Sequence, residues 1–397
     1  MQKTDTLLAA EKRRIVTYLL CGFYFFLFFG FGANLPLLSL YLQSFGLSGV
    51  QIGTLLSAGP IVAILVQPVW GILCDRFRAQ KKVLVLALTS AAAVGLLFPA
   101  AGGSYILFLL LYVVMVLFQS AMVPIIDAMT LFHLQKSKGD FGNVRLFGAL
   151  GFAVAVWVAG QFAERIGLQS IFYLYAASFL LCVGIALTLP QQGIPITTSI
   201  WAGIGKLLRI PQYVVFLIAA FLIFGPINAN NSYFSLYFTA IGGAVVGVGT
   251  AFLLFAGSEA PIMRFAGHFA KRYGMLTMII LSGGVSGIRW FYYSSQPTPE
   301  MVIALFLLQG ISVGLFLPLA ASFIRENTPS EVQVTAQAIY ASAANGLGTV
   351  ASSYAAGWLL DRYGIFSIYH YFAVSSIAGA FLLAVLSVKQ RVEKGRD

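Results

Sequence analysis

The chain has 397 residues, of which 59% are hydrophobic and only 9% charged, and its mean hydropathy of +0.88 excludes a water-soluble domain. The formal net charge of +11 suggests an acidic partner such as nucleic acid, but the basic residues are confined to both ends of the chain and to alternate loops. Because this distribution follows the positive-inside rule of membrane proteins, it predicts an orientation and excludes nucleic acid as a partner.

Apolar runs predict twelve membrane helices between residues 15 and 388, since a span needs about 20 residues. They divide into an N-terminal six-helix bundle (1–189), a cytoplasmic linker (190–211) and a C-terminal six-helix bundle (212–397). An even number of spans with basic inner loops places both ends in the cytoplasm. The sequence therefore predicts a multi-pass protein of the cell inner (plasma) membrane.

An octapeptide with the pattern Gly-x-x-x-Asp/Glu/Lys-Arg-x-Gly occurs four times, each time at the end of an apolar run, with Arg78 in place of the last Gly in the first copy. Its copies are GILCDRFR at Gly71, GQFAERIG at Gly160, GHFAKRYG at Gly267 and GWLLDRYG at Gly357, and they start 89, 107 and 90 residues apart. Each unit is about three spans long, so successive copies fall on opposite sides of the membrane. Inverted three-helix repeats within each half are typical of secondary transporters.

Four charged residues stand well inside predicted spans, where a charge costs about 3 kcal/mol or more at the bilayer centre. Asp127 and Arg145 lie at similar depth on spans 4 and 5, which predicts an ion pair. Glu259 and Arg289, on spans 8 and 9, are the second candidate pair. Each pair either locks a hairpin or binds substrate, because a guanidinium can grip a carboxylate or sugar hydroxyls. A carboxylate balanced between desolvation and a nearby arginine can also take up and release a proton.

Uncharged polar residues within the spans add candidates for substrate binding. Asn34 interrupts the aromatic first span, and span 7 contains PINANNSYFSLY, where Pro226 can open the backbone. The alternative for each residue is a hydrogen bond between helices. The candidates are Asn34, Gln119, Asn228, Asn231, Tyr237 and Asn345, with the aromatic rings of Tyr24, Phe28 and Phe31 on span 1 as additional surface.

No arrangement typical of an enzyme is present in the sequence. The histidines (His133, His268 and His370) lie near span ends, and the three cysteines have unrelated spacings, so we expect no metal and no cofactor. The sequence contains no phosphate-binding loop, so energy comes from a gradient or transport is passive. The expected partners are a small-molecule substrate, protons and the lipid bilayer, with the protein acting as a monomer.

GILCDRFRAQKK, between spans 2 and 3, resembles the loop signature of the major facilitator superfamily. VPIIDAM followed by DFGNVRLFGALGF is similar to the phenylpropionate permease family, on the lactose-permease-like branch, and GVSGIRWFYY and LQG in spans 9 and 10 add to the likeness. The resemblance covers essentially the whole chain. It implies an all-α membrane protein with twelve transmembrane helices in two six-helix halves, each built of inverted three-helix repeats.

The resemblance also implies roles for single residues in the first half of the chain. Gly71, Asp75 and Arg76 match loop-signature positions that steady one conformation of the family's proteins. Asp127 and Arg145 match the acid of helix 4 and the arginine of helix 5 that bind substrate in lactose-permease-like proteins.

In the second half, Glu259 and Arg289 resemble the helix 8 acid and helix 9 arginine that are tied to substrate binding and proton coupling in that branch. The chain departs from the lactose permeases in span 10, which has none of their Lys, His and Glu residues. If protons are coupled, Glu259 is therefore the first candidate to carry them and Asp127 the second.

These observations together predict a secondary active transporter that moves a small organic solute by alternating access as a proton symporter. A sugar, glycoside or nucleoside suits a site of paired acids and arginines, whereas an aromatic acid suits a site with a free arginine. A proton-driven exporter of sugars or drugs shares the same fold. A non-transporting membrane sensor is the alternative from another class.

Overall fold

The computed structural model describes residues 2–77, 79–137, 140–190 and 204–394, and nearly all of them are helical. The helices of the first half are α1 (Gln2–Ser44), α2 (Gly49–Phe77), α3 (Gln80–Leu97), α4 (Tyr105–Ser137), α5 (Phe141–Ile166) and α6 (Ser170–Thr188). Those of the second half are α7 (Pro211–Ala240), α8 (Val245–Tyr273), α9 (Met275–Tyr293), α10 (Pro299–Asn327), α11 (333–363) and α12 (Ile365–Lys394).

Eleven of these helices each contain a stretch long and apolar enough to cross a membrane. The twelfth, α11, is made of Gln333–Ala341, a π-helical turn Ser342–Leu347 and Gly348–Tyr363. The predicted twelve-helix fold is confirmed. Residues 191–203, most of the predicted linker, lie outside the described part of the chain.

The last glycine of the octapeptide ends a helix in three of its four copies. Gly167, Gly274 and Gly364 follow α5, α8 and α11 and have φ values of +99°, +92° and +81°. Each amide donates to a carbonyl four residues earlier, which satisfies the end of the helix. A positive φ is strained for residues with a Cβ, so glycine is needed there. The corresponding position of the first copy, residue 78, lies outside the described residues.

The described helices group into two compact units by their internal contacts. The first unit comprises Met1–Tyr41 and Val62–Thr198, and the second comprises Leu42–Ile61 and Ser199–Asp397. The start of α2 therefore groups with the second unit and the rest of α2 with the first. The bundle boundaries expected from the sequence, 1–189 and 212–397, stay a prediction.

In the first unit, α3 packs against both α4 and α6. Stacked aromatic rings fill the space at one end, where the Phe98 and Phe172 centroids are 4.6 Å apart and Tyr41 meets Phe172 edge-on at 4.8 Å. This core is apolar, and the charged residue of α4, Asp127, contacts α1 and α5 instead.

In the second unit, α7 packs on α11 and α12, α8 on α10, and α9 on α12. The start of α2 is held on α11, because the amides of Gly49 and Val50 donate to the Asp361 carboxylate at 2.5 and 2.8 Å. Asp361 is the acid of the fourth octapeptide. A carboxylate at a helix N-terminus satisfies free amides and the helix dipole, so it stabilises this contact.

Candidate functional site

An acid and an arginine on α4 and α5 form an ion pair in the first unit. Arg145 Nη1 lies 2.7 Å from Asp127 Oδ1 and 2.8 Å from Oδ2, so one nitrogen bridges both oxygens. The phenol of Tyr24 on α1 donates to the same Oδ1 at 2.5 Å. The predicted pair is confirmed, and a third group from α1 completes it.

Local sequence explains why the pair meets. Pro124 interrupts the hydrogen-bond ladder of α4 one turn before Asp127. On α5, Gly148 lies one turn beyond Arg145, and a Cβ there would be 2.8 Å from the Phe28 ring. The missing side chain lets α1 approach α5. As a result the Arg145 guanidinium lies 5.1 Å from the Phe28 ring centroid, within the range of a cation–π contact.

The pair is partly open to its surroundings. The side chains of Arg145 and Asp127 are 39% and 28% exposed, although both lie within membrane-length helices. Charged groups facing lipid would cost several kcal/mol, so the exposed side of the pair must face water. Tyr24 and Phe28 stack at 6.4 Å beside it. The arrangement can bind a polar ring, with hydrogen bonds from the charges and contact from the aromatic faces.

A second polar cluster lies inside the second unit, with Gln309 of α10 at its centre. Gln309 Oε1 accepts from Arg289 Nη1 at 2.8 Å and from Asn230 Nδ2 at 3.2 Å, and Gln309 Nε2 donates to Asn231 Oδ1 at 3.0 Å. Tyr369 of α12 donates to Asn230 Oδ1 at 3.0 Å. We call these five residues the Gln309 cluster. The Gln309 amide joins α7, α9 and α10, and Asn230 extends the cluster to α12.

The expected Glu259–Arg289 ion pair is wrong. Arg289 is 1% exposed, and within the described part of the chain no carboxylate lies at ion-pair distance from it. Its guanidinium lies among the rings of Trp290, Tyr293 and Phe306, at 5.3 to 5.6 Å from their centroids, and Nε and Nη2 have no hydrogen-bond partner among the described residues. Counting residues along the helices places Glu259 and Arg289 at similar depth in the membrane. It does not determine which face of its helix each residue occupies.

Glu259 instead lies on α8, next to the backbone of α10. A Cβ on Gly310 or Gly314 would meet the Glu259 backbone, at 2.6 and 2.9 Å. These glycines therefore let α10 pack directly on α8 at Glu259. Pro261, two residues after Glu259, interrupts the hydrogen bonds of α8. The Glu259 side chain is half-buried, and the structure records no ion pair for it among the described residues.

Two further candidates meet on the exposed side of the second unit. Asn228 Nδ2 donates to Asn345 Oδ1 at 3.2 Å, which joins α7 to α11. Asn345 lies in the π-helical turn Ser342–Leu347, an irregularity that is frequent at functional sites. With Asn231 also partly exposed, three amides from this unit are available to a ligand.

Of the remaining candidates, Tyr237, Asn34 and Gln119 lie deeper in the units, whereas Gly71 and Arg76 of the loop motif do not. Tyr237 is fully buried and donates to the Tyr293 carbonyl at 2.9 Å. Asn34 is 3% exposed, and its Nδ2 has no hydrogen-bond partner among the residues that the structure describes. Gln119 donates to the Tyr175 hydroxyl at 2.7 Å. In the loop motif, Gly71 has open space around its Cα and Arg76 is exposed, whereas the side chain of Asp75 lies outside the described residues. These residues are not brought together with the ion pair.

Sequence reasoning missed the hydrogen bonds that complete both clusters. Tyr24 was considered only as an aromatic surface, and Asn230 and Tyr369 were not considered. A signal for Asn230 was available, because it stands beside Asn231 in the same asparagine-rich segment. The bond of 3.0 Å between Thr17 Oγ1 and His133 Nε2 had no signal, since the two residues are 116 positions apart.

Within the described residues no group of three or more His, Cys, Asp or Glu side chains could hold a metal ion. The polar clusters contain a single carboxylate, several amides and two guanidinium groups. These are hydrogen-bonding groups, and they favour an organic ligand with many hydroxyls over an ion.

Comparison with known proteins gives one family for nearly the whole sequence. The profile of the MFS_1 like family matches residues 18–371. The maltose permease of Geobacillus stearothermophilus is 40% identical over 371 residues, which cover 93% of this chain and 94% of the permease. A probable 3-phenylpropionic acid transporter of Escherichia coli is 27% identical over 348 residues, covering 86% of this chain and 90% of that protein.

Solved structures give the same fold. The nucleoside transporter NupG superposes with a TM-score of 0.81, covering 93% of this chain and 98% of NupG, at 19% sequence identity. At that identity the likeness concerns the fold alone.

Proposed function

Because the chain belongs to the MFS_1 like family of the major facilitator superfamily, whose members are secondary transporters of small solutes in the membrane, we propose that it imports an α-glucoside of the maltose class together with protons, by alternating access. The observation that carries this proposal is the partly exposed Asp127–Arg145–Tyr24 cluster beside the Phe28 ring. We further propose the plasma membrane as its location, with both termini in the cytoplasm.

The state of the two arginines favours a neutral substrate over a carboxylate. Arg145 is already neutralised by Asp127, and Arg289 is unpaired but buried at 1% exposure. An aromatic acid would need a free guanidinium that it can reach, and neither of these two arginines offers one. Sugar hydroxyls suit the cluster, because each can donate to the carboxylate and accept from the guanidinium. The maltose permease at 40% identity supports the same class.

In the second unit, taken by itself, the partly exposed amides of Asn228, Asn231 and Asn345 are further candidates for binding hydroxyls. Amides both donate and accept, so they suit a neutral polyol. Asn34 and Gln119 in the first unit, and Arg289 and Tyr237 in the second, stay candidates for substrate binding within their own units. For the loop residues Gly71, Asp75 and Arg76 we propose the conformational role that the loop signature implies.

We place proton coupling on Glu259 and Asp127. Glu259 lies in an apolar helix and has no ion pair with any of the described residues, so its charged form is disfavoured and it can accept a proton. Asp127 depends on Arg145 for its charge balance. If sugar hydroxyls draw the guanidinium away, the carboxylate loses its counterion and proton binding becomes favourable. Substrate and proton would then bind together, as symport requires.

Binding of maltose to the purified protein tests the site. Replacing Asp127 by Asn or Arg145 by Lys should weaken binding by about 10- to 100-fold, because each change removes a hydrogen bond to a charged group, with a free energy of about 1.5–3 kcal/mol. The matched control is Glu331→Gln, which breaks the exposed ion pair with Lys206 and should leave affinity unchanged. Wild-type affinity in both site variants would refute the assignment, and binding of 3-phenylpropionate instead of maltose would refute the substrate class.

A transport assay tests the coupling. In proteoliposomes, Glu259→Gln should keep the exchange of labelled for unlabelled maltose but lose accumulation driven by a pH gradient. Accumulation at the wild-type level would remove Glu259 from the coupling and leave Asp127 as the candidate. An absence of pH-driven accumulation in the wild type would refute proton symport.

A further inference from the structure

From the contacts between α1 and α4 we infer that His133 is the group through which the proton leaves Asp127 toward the cytoplasmic end of the first unit, along a path formed by Tyr24, Thr130 and His133, with Thr17 bonded to the imidazole. This inference rests on the proposed symport and deepens it. It assigns a proton-transfer role to a histidine that lies outside the substrate cluster.

Two helices bring these groups together at matching levels. On α4, the steps from Asp127 to Thr130 and from Thr130 to His133 are three residues each, so each residue neighbours the next on the helix surface and Thr130 lies between the other two. On α1, Thr17 and Tyr24 are seven residues apart and share a face. The two faces meet at both levels, because Tyr24 binds Asp127 at 2.5 Å and Thr17 binds His133 at 3.0 Å.

The level between these two contacts is occupied by Thr130. Asp127 and His133 are about 9 Å apart along the helix axis, which is too far for direct transfer of a proton. The Thr130 hydroxyl is fully buried beside the Tyr24 phenol and has no hydrogen-bond partner of normal geometry among the described residues. A buried hydroxyl without a partner is costly, so its place halfway between two titratable groups needs a reason.

His133 has the properties that the last step needs. It is 7% exposed, so it lies inside the unit, and it precedes the end of α4 at Ser137 by one turn. This end is the one that the charge pattern predicts to be cytoplasmic. Imidazole is the side chain whose ordinary titration range includes the cytoplasmic pH, so it can accept and release a proton there.

Other charged and titratable groups on α4 and its neighbours do not provide the same path. Arg145 contacts Asp127 and stays protonated, and Lys81 of α3 donates to the carbonyls of Leu187 and Leu189. The described groups that these helices bring to this end are Arg14, Tyr18, Cys21 and Tyr24 of α1, Cys74 and Arg76 of α2, Lys81 and Lys82 of α3, Asp127 of α4, and Asp140 and Arg145 of α5.

The proton balance of the path is simple. When the sugar has left, Arg145 returns to Asp127 and the carboxyl proton passes to the Tyr24 oxygen, while the phenol gives its own proton to Thr130. The Thr130 hydroxyl, which is bonded to neither neighbour at rest, must turn toward His133 to give its proton to the neutral imidazole. The imidazolium releases a proton to water at the end of α4. Each hydroxyl gains one proton and loses one, so only Asp127 and the cytoplasm change their proton count.

The test compares two activities of the full chain in proteoliposomes with maltose as substrate. His133→Asn keeps a polar group for Thr17 but cannot carry a proton. We expect exchange of labelled maltose within about twofold of the wild type and a loss of about tenfold or more in the initial rate of pH-driven uptake. Thr130→Val, which keeps the shape of the side chain, should lower the same rate. His370→Asn, at an exposed histidine of the second unit, is the matched control and should change neither activity.

The outcomes separate the relay from the symport. If the wild type exchanges maltose without any pH-driven uptake, symport is refuted and the relay with it. If the wild type is driven by pH but His133→Asn and Thr130→Val are driven equally well, the relay is refuted and symport stands. Loss of exchange in both variants would also refute the relay, because it would mean that these residues support the fold or the sugar site.

Discussion

Replacing Gln309 by Leu is expected to destabilise the second unit strongly, because one amide makes three of the hydrogen bonds in its cluster. The bond to Arg289 involves a charged donor and is worth about 1.5–3 kcal/mol, and the bonds to Asn230 and Asn231 are worth about 1 kcal/mol each. Leucine fills a similar volume, so the cavity term is small. The expected loss in the free energy of unfolding is therefore about 3–5 kcal/mol.

The assay is denaturant unfolding of the purified protein in detergent micelles, followed by tryptophan fluorescence. The matched control is Gln119→Leu in the first unit, whose side chain makes one hydrogen bond, to Tyr175, and which should cost about 1 kcal/mol. Gln309→Glu offers Arg289 a counterion in the same place, so it should be tolerated far better than Gln309→Leu.

A double-mutant cycle isolates the contact with the buried cation. Once Arg289 is replaced by Met, the change Gln309→Leu should cost less by about 1–3 kcal/mol, since no unpaired charge is left behind. If Gln309→Leu costs no more than Gln119→Leu, the argument that this amide satisfies the buried guanidinium is refuted.

Three further outcomes follow from single contacts. Asp361→Ala should lower the free energy of unfolding by about 1–2 kcal/mol, measured in the same assay, because it removes the carboxylate that accepts from the first amides of α2. Gly225→Ala should be strongly destabilising, since its Cβ would lie 2.5 Å from a backbone oxygen of α11. Gly284→Ala is the control and should not be destabilising, because the space around Gly284 is open. The yields and melting temperatures of the two variants test this. Lys81→Met should cost about 1 kcal/mol by removing the ammonium group that binds two carbonyls at the end of α6, and equal stability of this variant and the wild type would contradict that role.

The success of one predicted ion pair and the failure of the other have the same physical origin. Asp127 and Arg145 are 18 residues apart on adjacent helices joined by a short loop, so similar depth was sufficient to bring them together. Glu259 and Arg289 are also on adjacent helices, but Arg289 points into the unit toward Gln309. Depth along a helix can be counted from the sequence, whereas the rotation of each helix about its axis depends on all of its neighbours.

The sequence alone determined the class of this protein, its number of membrane helices, its repeats and the positions where three helices end. These features depend on local properties: the length of apolar runs, the hydration cost of charge in lipid, and the tolerance of glycine for positive φ. Only the tertiary structure decided which polar groups meet, as with Asp361 and the start of α2, 312 residues apart, or Thr17 and His133. The reason is that hydrogen bonds in the apolar interior select partners by direction and distance within a few ångströms, and that information exists only once the helices have packed.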